Sequence, residues 1–189
     1  MGSIVLIEQI GDIETLTSLC SEQDLRAAET LGAAHRRAEF LAWRVAVRRA
    51  LGADIRIGYD EWGGPVIEGS NLHLGVSHSK QMVAVIISDH PCAIDIEDTT
   101  RNFEHVADRY VTAEERKLTT HADLLAVAWC AKETLYKYHR RGGVDFLRDV
   151  RLTAMNIEQG DVRGQIFGDE EQRMQLHRKD KYIIVTLGE

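Results

Sequence analysis

Residues 72–97, LHLGVSHSKQMVAVIISDHPCAIDIE, contain three short runs rich in β-branched and other apolar residues. The first two runs, residues 72–79 and 81–88, are separated only by Lys80 and predict a β-hairpin. The third run, CAIDIE at residues 92–97, predicts another strand directly after the hairpin. A sheet is therefore expected in this part of the chain.

Predicted helices flank these strands. HRRAEFLAWRVAVRRALG, residues 35–52, has an apolar stripe at helical spacing and ends on Gly52, a residue suited to a C-cap. Two more helices are predicted after the strands, over residues 108–117 and 122–140. The remaining β-rich runs predict strands at 3–10, 150–157, 164–168, 173–179 and 181–189.

This order of elements predicts an α+β fold. The chain begins with a strand, helices and more strands, and a second set of helices and strands follows. This order indicates two similar α+β halves joined near residue 100. We place these halves at residues 1–98 and 99–189. A chain of 189 residues can bury a sizeable core as one domain or as two small halves packed together.

Composition and charge disfavour several classes of function. The formal net charge is −7, which disfavours nonspecific nucleic-acid binding because such binding neutralises phosphates with lysine and arginine. No apolar run approaches the roughly 20 residues that span a bilayer. The three cysteines are widely spaced, which argues against a zinc site or a disulfide framework. We expect a cytoplasmic monomer that binds neither nucleic acid nor membranes.

The strand AIDIED, residues 93–98, places two acidic side chains on one face. Side chains alternate between the faces of a strand, so Asp95 and Glu97 point one way and Ile94 and Ile96 the other. Two neighbouring carboxylates repel each other unless solvent or a cation lies between them. The pair is therefore either a solvated strand end or a candidate Mg²⁺ site.

The helical stretch WCAKETLYKY, residues 129–138, places Trp129, Glu133 and Lys137 four residues apart on one face. Lys132 lies on the adjacent flank. A Glu–Lys pair at this spacing is most often an exposed ion pair. Trp129 favours a second interpretation, because a large ring on this face draws both charges toward the protein. There Glu133 could bind a metal or act as a base, and Lys137 could meet a phosphate.

GVSHS, residues 75–79, ends a predicted strand with two polar side chains, Ser77 and His78. Adjacent strand residues point to opposite faces, so the two form a poor nucleophile–base pair, and a hydrolase triad is disfavoured. Phosphate contact or hydrogen bonding within the turn is the preferred interpretation.

Arginines align along the helix predicted over residues 35–52. Arg37, Arg44 and Arg48 are seven and four residues apart and share a face. This face is either solvated or binds an anion, because guanidinium matches phosphate geometry in a bidentate manner.

GVSHS, AIDIE and WCAKETLYK, in this order and spacing, resemble the 4′-phosphopantetheinyl transferases of the surfactin-synthetase-activating type. The pattern of that family is a strand with (I/V)-G-(I/V)-D-x-E and a helix with W-x-x-K-E-x-x-x-K. The resemblance implies two α+β halves with the active site in the cleft between them. It also implies Mg²⁺-dependent transfer of phosphopantetheine from coenzyme A to a serine of an apo acyl or peptidyl carrier protein, with release of 3′,5′-ADP.

The resemblance also implies roles for individual residues. Asp95, Glu97 and Glu133 would hold Mg²⁺ on the pyrophosphate of coenzyme A, and Glu133 or a water on the metal would take the serine proton. Lys137 would contact the phosphate that is transferred. The remaining residues assigned to the coenzyme A side are Ser77, His78, Arg37, Arg44 and Lys132, and the two arginines are alternatively assigned to an acidic helix of the carrier protein.

Two positions depart from the family pattern. Ala93 replaces the motif glycine, and the turn Gly63-Gly64-Pro65 lacks the lysine that relatives often carry before the proline. Two alternatives to the transferase therefore remain at this point. One is a non-catalytic relative that binds coenzyme A or a carrier protein, and the other is a different Mg²⁺-dependent enzyme that cleaves a pyrophosphate.

Overall fold

The computed structural model describes residues 2–140 and 142–188. These residues form an α+β fold with two antiparallel five-stranded sheets. The elements are β1 (Ile4–Gln9), α1 (Ile13–Thr17), α2 (Glu22–Glu29), α3 (Ala34–Leu51), β2 (Ile57–Tyr59), β3 (Pro65–Ile67), β4 (His73–Ser79), β5 (Met82–Ser88), β6 (Ala93–Asp98), two 3₁₀ turns (Glu104–Arg109 and Glu115–Lys117), α4 (Leu124–His139), β7 (Val150–Asn156), β8 (Asp161–Ile166), β9 (Gln172–Lys179) and β10 (Tyr182–Leu187).

The two sheets repeat one plan. The first has the strand order β1-β5-β4-β3-β2 and packs against α3, and the second has the order β6-β10-β9-β8-β7 and packs against α4. The predicted hairpin is β4–β5, with Ser79 opposite Met82 across the turn. Within the described ranges, no helix is long and apolar enough to cross a membrane.

The sheets pack on each other through a cluster of apolar side chains. Alternate residues of β5 face opposite ways, so Val85 packs toward α3 while Ile86 packs toward the second sheet. Ile94 and Ile96 enter this cluster from β6, as their alternation with Asp95 and Glu97 predicts. The resulting layers are α3, first sheet, second sheet and α4.

Strand β6 lies where the two sheets meet. It precedes the expected boundary at residue 98, but it pairs with β10 and so belongs to the second sheet as an edge strand. It also lies close to β4 of the first sheet. A Cβ at Gly75 would be 3.2 Å from the Cα of Ala93 and 2.7 Å from Cγ2 of Ile86. The glycine of GVSHS therefore permits the close approach that brings the polar end of β4 to β6.

The helix predicted over residues 108–117 is wrong. The first 3₁₀ turn ends at Arg109, inside this segment, and the second spans Glu115–Lys117. The Oε2 of Glu115 accepts the N–H of Thr112 at 2.8 Å, and the Oγ1 of Thr112 accepts the N–H of Glu115 at 3.2 Å. This reciprocal cap interrupts a continuous helix. The short strands β2 and β3 were not predicted, because each has only three residues beside the glycine-rich turn.

Candidate active site

Asp95 is the centre of a polar cluster between β4, β6 and α4. Its Oδ1 accepts hydrogen bonds from Ser77 Oγ at 2.7 Å and from Lys137 Nζ at 2.7 Å. Lys137 Nζ also lies 3.3 Å from the carbonyl oxygen of Ile94. Asp95 Oδ2 is buried and has no hydrogen-bond partner among the described residues. One oxygen of this carboxylate is therefore held in place while the other remains unsatisfied.

Two glutamates complete an acidic group around Asp95. Burial and the charge of Asp95 raise the pKa of Glu97 to about 7, and Glu133 acts in the same direction. Arg101, which lies 2.9 Å from Glu97, and the indole N–H of Trp129 oppose this shift. Burial and the charge of Asp95 also raise the pKa of Glu133. The three carboxylates therefore lie close enough to repel one another.

The donor set fits Mg²⁺ bound together with a phosphorylated ligand. Mg²⁺ in proteins usually takes one or two carboxylates and completes its shell with water and substrate phosphates. A cation at Oδ2 of Asp95 would satisfy that oxygen and reduce the repulsion on Glu97 and Glu133. Across residues 2–140 and 142–188, no three His, Cys, Asp or Glu side chains are arranged to hold a metal ion by themselves. Oxygens of the ligand would therefore have to complete the site.

His78 lies at the exposed end of β4, one residue beyond Ser77. Its Nδ1 is 3.4 Å from Glu39 Oε1 of α3. Partial burial lowers the pKa of His78, Glu39 opposes that shift, and the positive charges of Arg36 and Lys137 add to it. Burial therefore favours the neutral form of His78, whose Nδ1 faces the Glu39 carboxylate.

Two cavities flank the acidic group. One, of about 490 Å³, lies between the two sheets and is lined by the Trp62–Pro65 turn, β4, β6 and the end of α4, including Lys137 and Arg140. The other, of about 700 Å³, lies on the far side and is lined by Trp129, Glu133 and Phe146 among others. Lys137 therefore lines one cavity and Glu133 lines the other.

The position of Lys132 corrects the expectation that it contacts coenzyme A. The side chain is fully buried, and its Nζ donates to Glu115 Oε2, to the carbonyl oxygen of Phe146 at 2.8 Å and to that of Val150 at 2.7 Å. All three ammonium hydrogens are taken by protein oxygens. Glu115 also accepts the N–H of Leu152 at 2.8 Å. Lys132 therefore anchors α4 to the second sheet, next to Glu133.

Lys132→Met is expected to lower the free energy of unfolding by about 3–5 kcal/mol, because it leaves the Glu115 carboxylate buried without its cation. Urea unfolding measures this change. Lys117→Met is the matched control, since Lys117 is exposed in the same 3₁₀ turn and should change stability by about 0.5 kcal/mol at most. Equal, small effects of the two substitutions would contradict the structural role.

The structure also contradicts the expectation that the arginine face of α3 forms an open anion-binding site. Arg44 is buried, donates from Nε to Asp24 Oδ1 at 3.1 Å and lies 3.5 Å from the centre of the Phe40 ring. Arg48 is buried as well and donates to the other oxygen of Asp24. Both guanidinium groups therefore join α3 to α2 and do not form an open anion site. Arg37 is half-buried and donates to the carbonyl oxygen of Leu31 at 3.0 Å.

Sequence reasoning missed two of the charged side chains at this site. Arg101 follows Glu97 by four residues and pairs with it, but Glu97 lies on β6 and Arg101 beyond its end, so no helical spacing rule applied. Arg140 stands in the basic run 139–141 and crosses the cleft to Asp60, which is 80 residues earlier in the chain. Only the packing of the two sheets shows this second contact.

A comparison with protein families agrees with this geometry. The family model of the 4′-phosphopantetheinyl transferase superfamily matches residues 91–186, just over half of the 189 residues. The chain belongs to the 4′-phosphopantetheinyl transferase superfamily. Members are transferases that use coenzyme A as substrate and a carrier protein as acceptor. No curated protein matches the chain.

The superfamily match covers one side of the site. It includes β6 and α4, and so Asp95, Glu97, Glu133 and Lys137. The first sheet, with Ser77 and His78, lies outside it. Ala93, the departure from the motif glycine, is fully buried and fits opposite Gly75, so the strand accepts the extra methyl group.

Proposed function

We propose that this superfamily member transfers 4′-phosphopantetheine from coenzyme A to a serine of an apo acyl or peptidyl carrier protein in a Mg²⁺-dependent reaction, as a holo-[acyl-carrier-protein] synthase of the surfactin-synthetase-activating type. The observation that carries the proposal is the half-satisfied carboxylate of Asp95. Ser77 and Lys137 hold one oxygen, and the other is buried without a partner beside two more carboxylates.

Asp95, Glu97 and Glu133 would hold Mg²⁺ together with pyrophosphate oxygens, and the ion would supply positive charge to offset the charge of the leaving phosphate. Lys137 supplies a second positive charge. Although burial lowers the pKa of Lys137, its ion pair with Asp95 and the charge of Glu133 raise that pKa above the usual value. The ammonium therefore stays protonated and can donate to the phosphoryl group in flight.

Glu133 accepts the proton in this proposal. Burial raises the pKa of Glu133, which makes its carboxylate a better proton acceptor than an exposed glutamate. The serine oxygen of the carrier protein forms a bond to the phosphorus that bears pantetheine, and the serine proton moves to Glu133. The bond from that phosphorus to the bridging oxygen breaks, and 3′,5′-ADP leaves with the electron pair.

The two cavities suggest separate places for the two substrates. The cavity between the sheets has a volume of about 490 Å³ and contains Lys137, so the nucleotide of coenzyme A would bind there. The cavity beside Trp129 contains Glu133, so the serine of the carrier protein would approach from that side. Phosphoryl transfer requires positioning and charge neutralisation, and this arrangement provides both.

Intact-mass spectrometry of an apo carrier protein tests the proposal. After incubation with the protein, coenzyme A and Mg²⁺, the carrier is expected to gain the mass of one phosphopantetheinyl group. A carrier with its acceptor serine replaced by alanine should gain nothing, and removal of Mg²⁺ with EDTA should stop the gain. Binding of coenzyme A without any mass change, for both acyl and peptidyl carriers, would show a non-catalytic relative instead.

A further inference from the structure

Arg140 connects the end of α4 to the turn after β2, beside the cavity between the sheets. It ends α4 in the left-handed conformation, with φ of 52° and its N–H donating to the carbonyl oxygen of Tyr136 at 3.2 Å. Its guanidinium donates through Nη1 to Asp60 on the turn that follows β2. The side chain lines the cavity, and its charge reaches Cys92 on the cavity wall, where it lowers the pKa of the thiol against the larger effect of burial.

Asp60 holds Arg140 in this position. Its Oδ1 accepts the N–H of Trp62 at 3.0 Å and the N–H of Gly64 at 2.7 Å, which fixes the carboxylate on the turn. A Cβ at Gly64 would lie 2.9 Å from Asp60 Oδ2, so only a residue without a side chain leaves room for this arrangement. The turn therefore has glycine in place of the lysine that relatives often carry, and its Asp60 carboxylate orients Arg140 at the end of α4.

Two cations and one acid, Glu61, are among the described residues that line the cavity. Lys137 and Arg140 are the cations in this lining, and they are three residues apart at the C-terminal end of α4. Apolar side chains, including Leu74, Val76 and Ile94, lie in the same lining. The nucleotide of coenzyme A likewise has two anionic positions, a pyrophosphate on the 5′ oxygen and a phosphate on the 3′ oxygen of one ribose.

We propose that Arg140 binds the 3′-phosphate of coenzyme A and makes the site select coenzyme A over 3′-dephospho-coenzyme A, an inference that rests on the proposed function. In this arrangement Lys137 is at the pyrophosphate and Arg140 is at the 3′-phosphate. The hydrogen bond to Asp60 uses Nη1, and Nε and Nη2 have no partner in the parts of the chain that the structure describes. Those two nitrogens form the edge that matches a phosphate in a bidentate manner.

Binding measurements test this role without a carrier protein. By titration calorimetry, the unmodified protein is expected to bind adenosine 3′,5′-bisphosphate roughly 10- to 100-fold more tightly than adenosine 5′-monophosphate. Arg140→Gln should bind the two nucleotides about equally, with its affinity for the monophosphate unchanged, and Arg140→Lys should recover part of the preference. Arg148→Gln is the matched control, because Arg148 is an exposed arginine paired with its neighbour Asp149.

Transfer measurements complete the test. The ratio of kcat/KM for coenzyme A to that for 3′-dephospho-coenzyme A should fall by a similar factor in Arg140→Gln and stay unchanged in Arg148→Gln. An Arg140→Gln variant that keeps the full preference, or that loses both nucleotides equally while unfolding at the same temperature as the unmodified protein, would overturn the inference. A protein that prefers the bisphosphate through Arg140 but transfers nothing would instead contradict the proposed function.

Discussion

Lys137→Ala is expected to lower the turnover number of phosphopantetheine transfer by about 100-fold or more, on the scale of removing one donor that stabilises charge in the transition state. In the structure Lys137 Nζ lies 2.7 Å from Asp95 Oδ1 and keeps its proton. The same ammonium can therefore move from the carboxylate to the phosphate that is transferred. Single-turnover transfer to an apo carrier, measured at saturating coenzyme A, reports this change.

Stability must be measured on the same samples, because Lys137→Ala also leaves the buried carboxylate of Asp95 without its cation. Lys137→Arg keeps the charge and should recover part of the rate. Lys181→Ala is the matched control, since Lys181 is a half-exposed lysine in the turn between β9 and β10, paired with Asp98 at 3.0 Å. If the turnover numbers of Lys137→Ala and Lys181→Ala are similar, Lys137 does not contact the transferred phosphate. Its role would then be only the structural ion pair with Asp95.

Asp95→Ala is expected to reduce transfer by about 1,000-fold or more, because a metal bound to phosphate oxygens contributes several kcal/mol to the transition state. The free energy of unfolding should change by only about 1 kcal/mol, since two effects oppose each other. The substitution removes an unsatisfied buried oxygen and the repulsion on Glu97 and Glu133, and it also removes the partner of Lys137. Transfer rates over a range of Mg²⁺ concentrations, and urea unfolding in EDTA, measure the two quantities.

Glu133→Gln helps interpret that result. It keeps the shape of the side chain but removes the charge that would bind metal and accept the serine proton. If Glu133 is also the base, additional Mg²⁺ should rescue this variant only in part. Comparable activity of Asp95→Ala and the unmodified protein at saturating Mg²⁺ would contradict the metal assignment, and loss of cooperative unfolding in Asp95→Ala would indicate a structural carboxylate.

Local periodicity predicted much of the site. The alternation of a strand was enough to place Asp95 and Glu97 on the face opposite Ile94 and Ile96, and those isoleucines are indeed buried between the sheets. Helical spacing placed Glu133 and Lys137 on one face, and Trp129 on that face favoured the interpretation that both charges face the protein. The hairpin, the long helices and the α+β class followed from the same patterns, because each depends on residues a few positions apart.

Only the tertiary structure decided which charges pair. Lys137 binds Asp95, 42 residues away, and not its helical neighbour Glu133, while Lys132 is buried against Glu115. The arginines of α3 are held by Asp24 of α2, and Arg140 reaches Asp60 across the cleft. A periodic pattern determines the face on which a side chain lies, but the group opposite that face depends on how separate elements pack. In this protein the close approach of β4 and β6 at Gly75 brings those partners together.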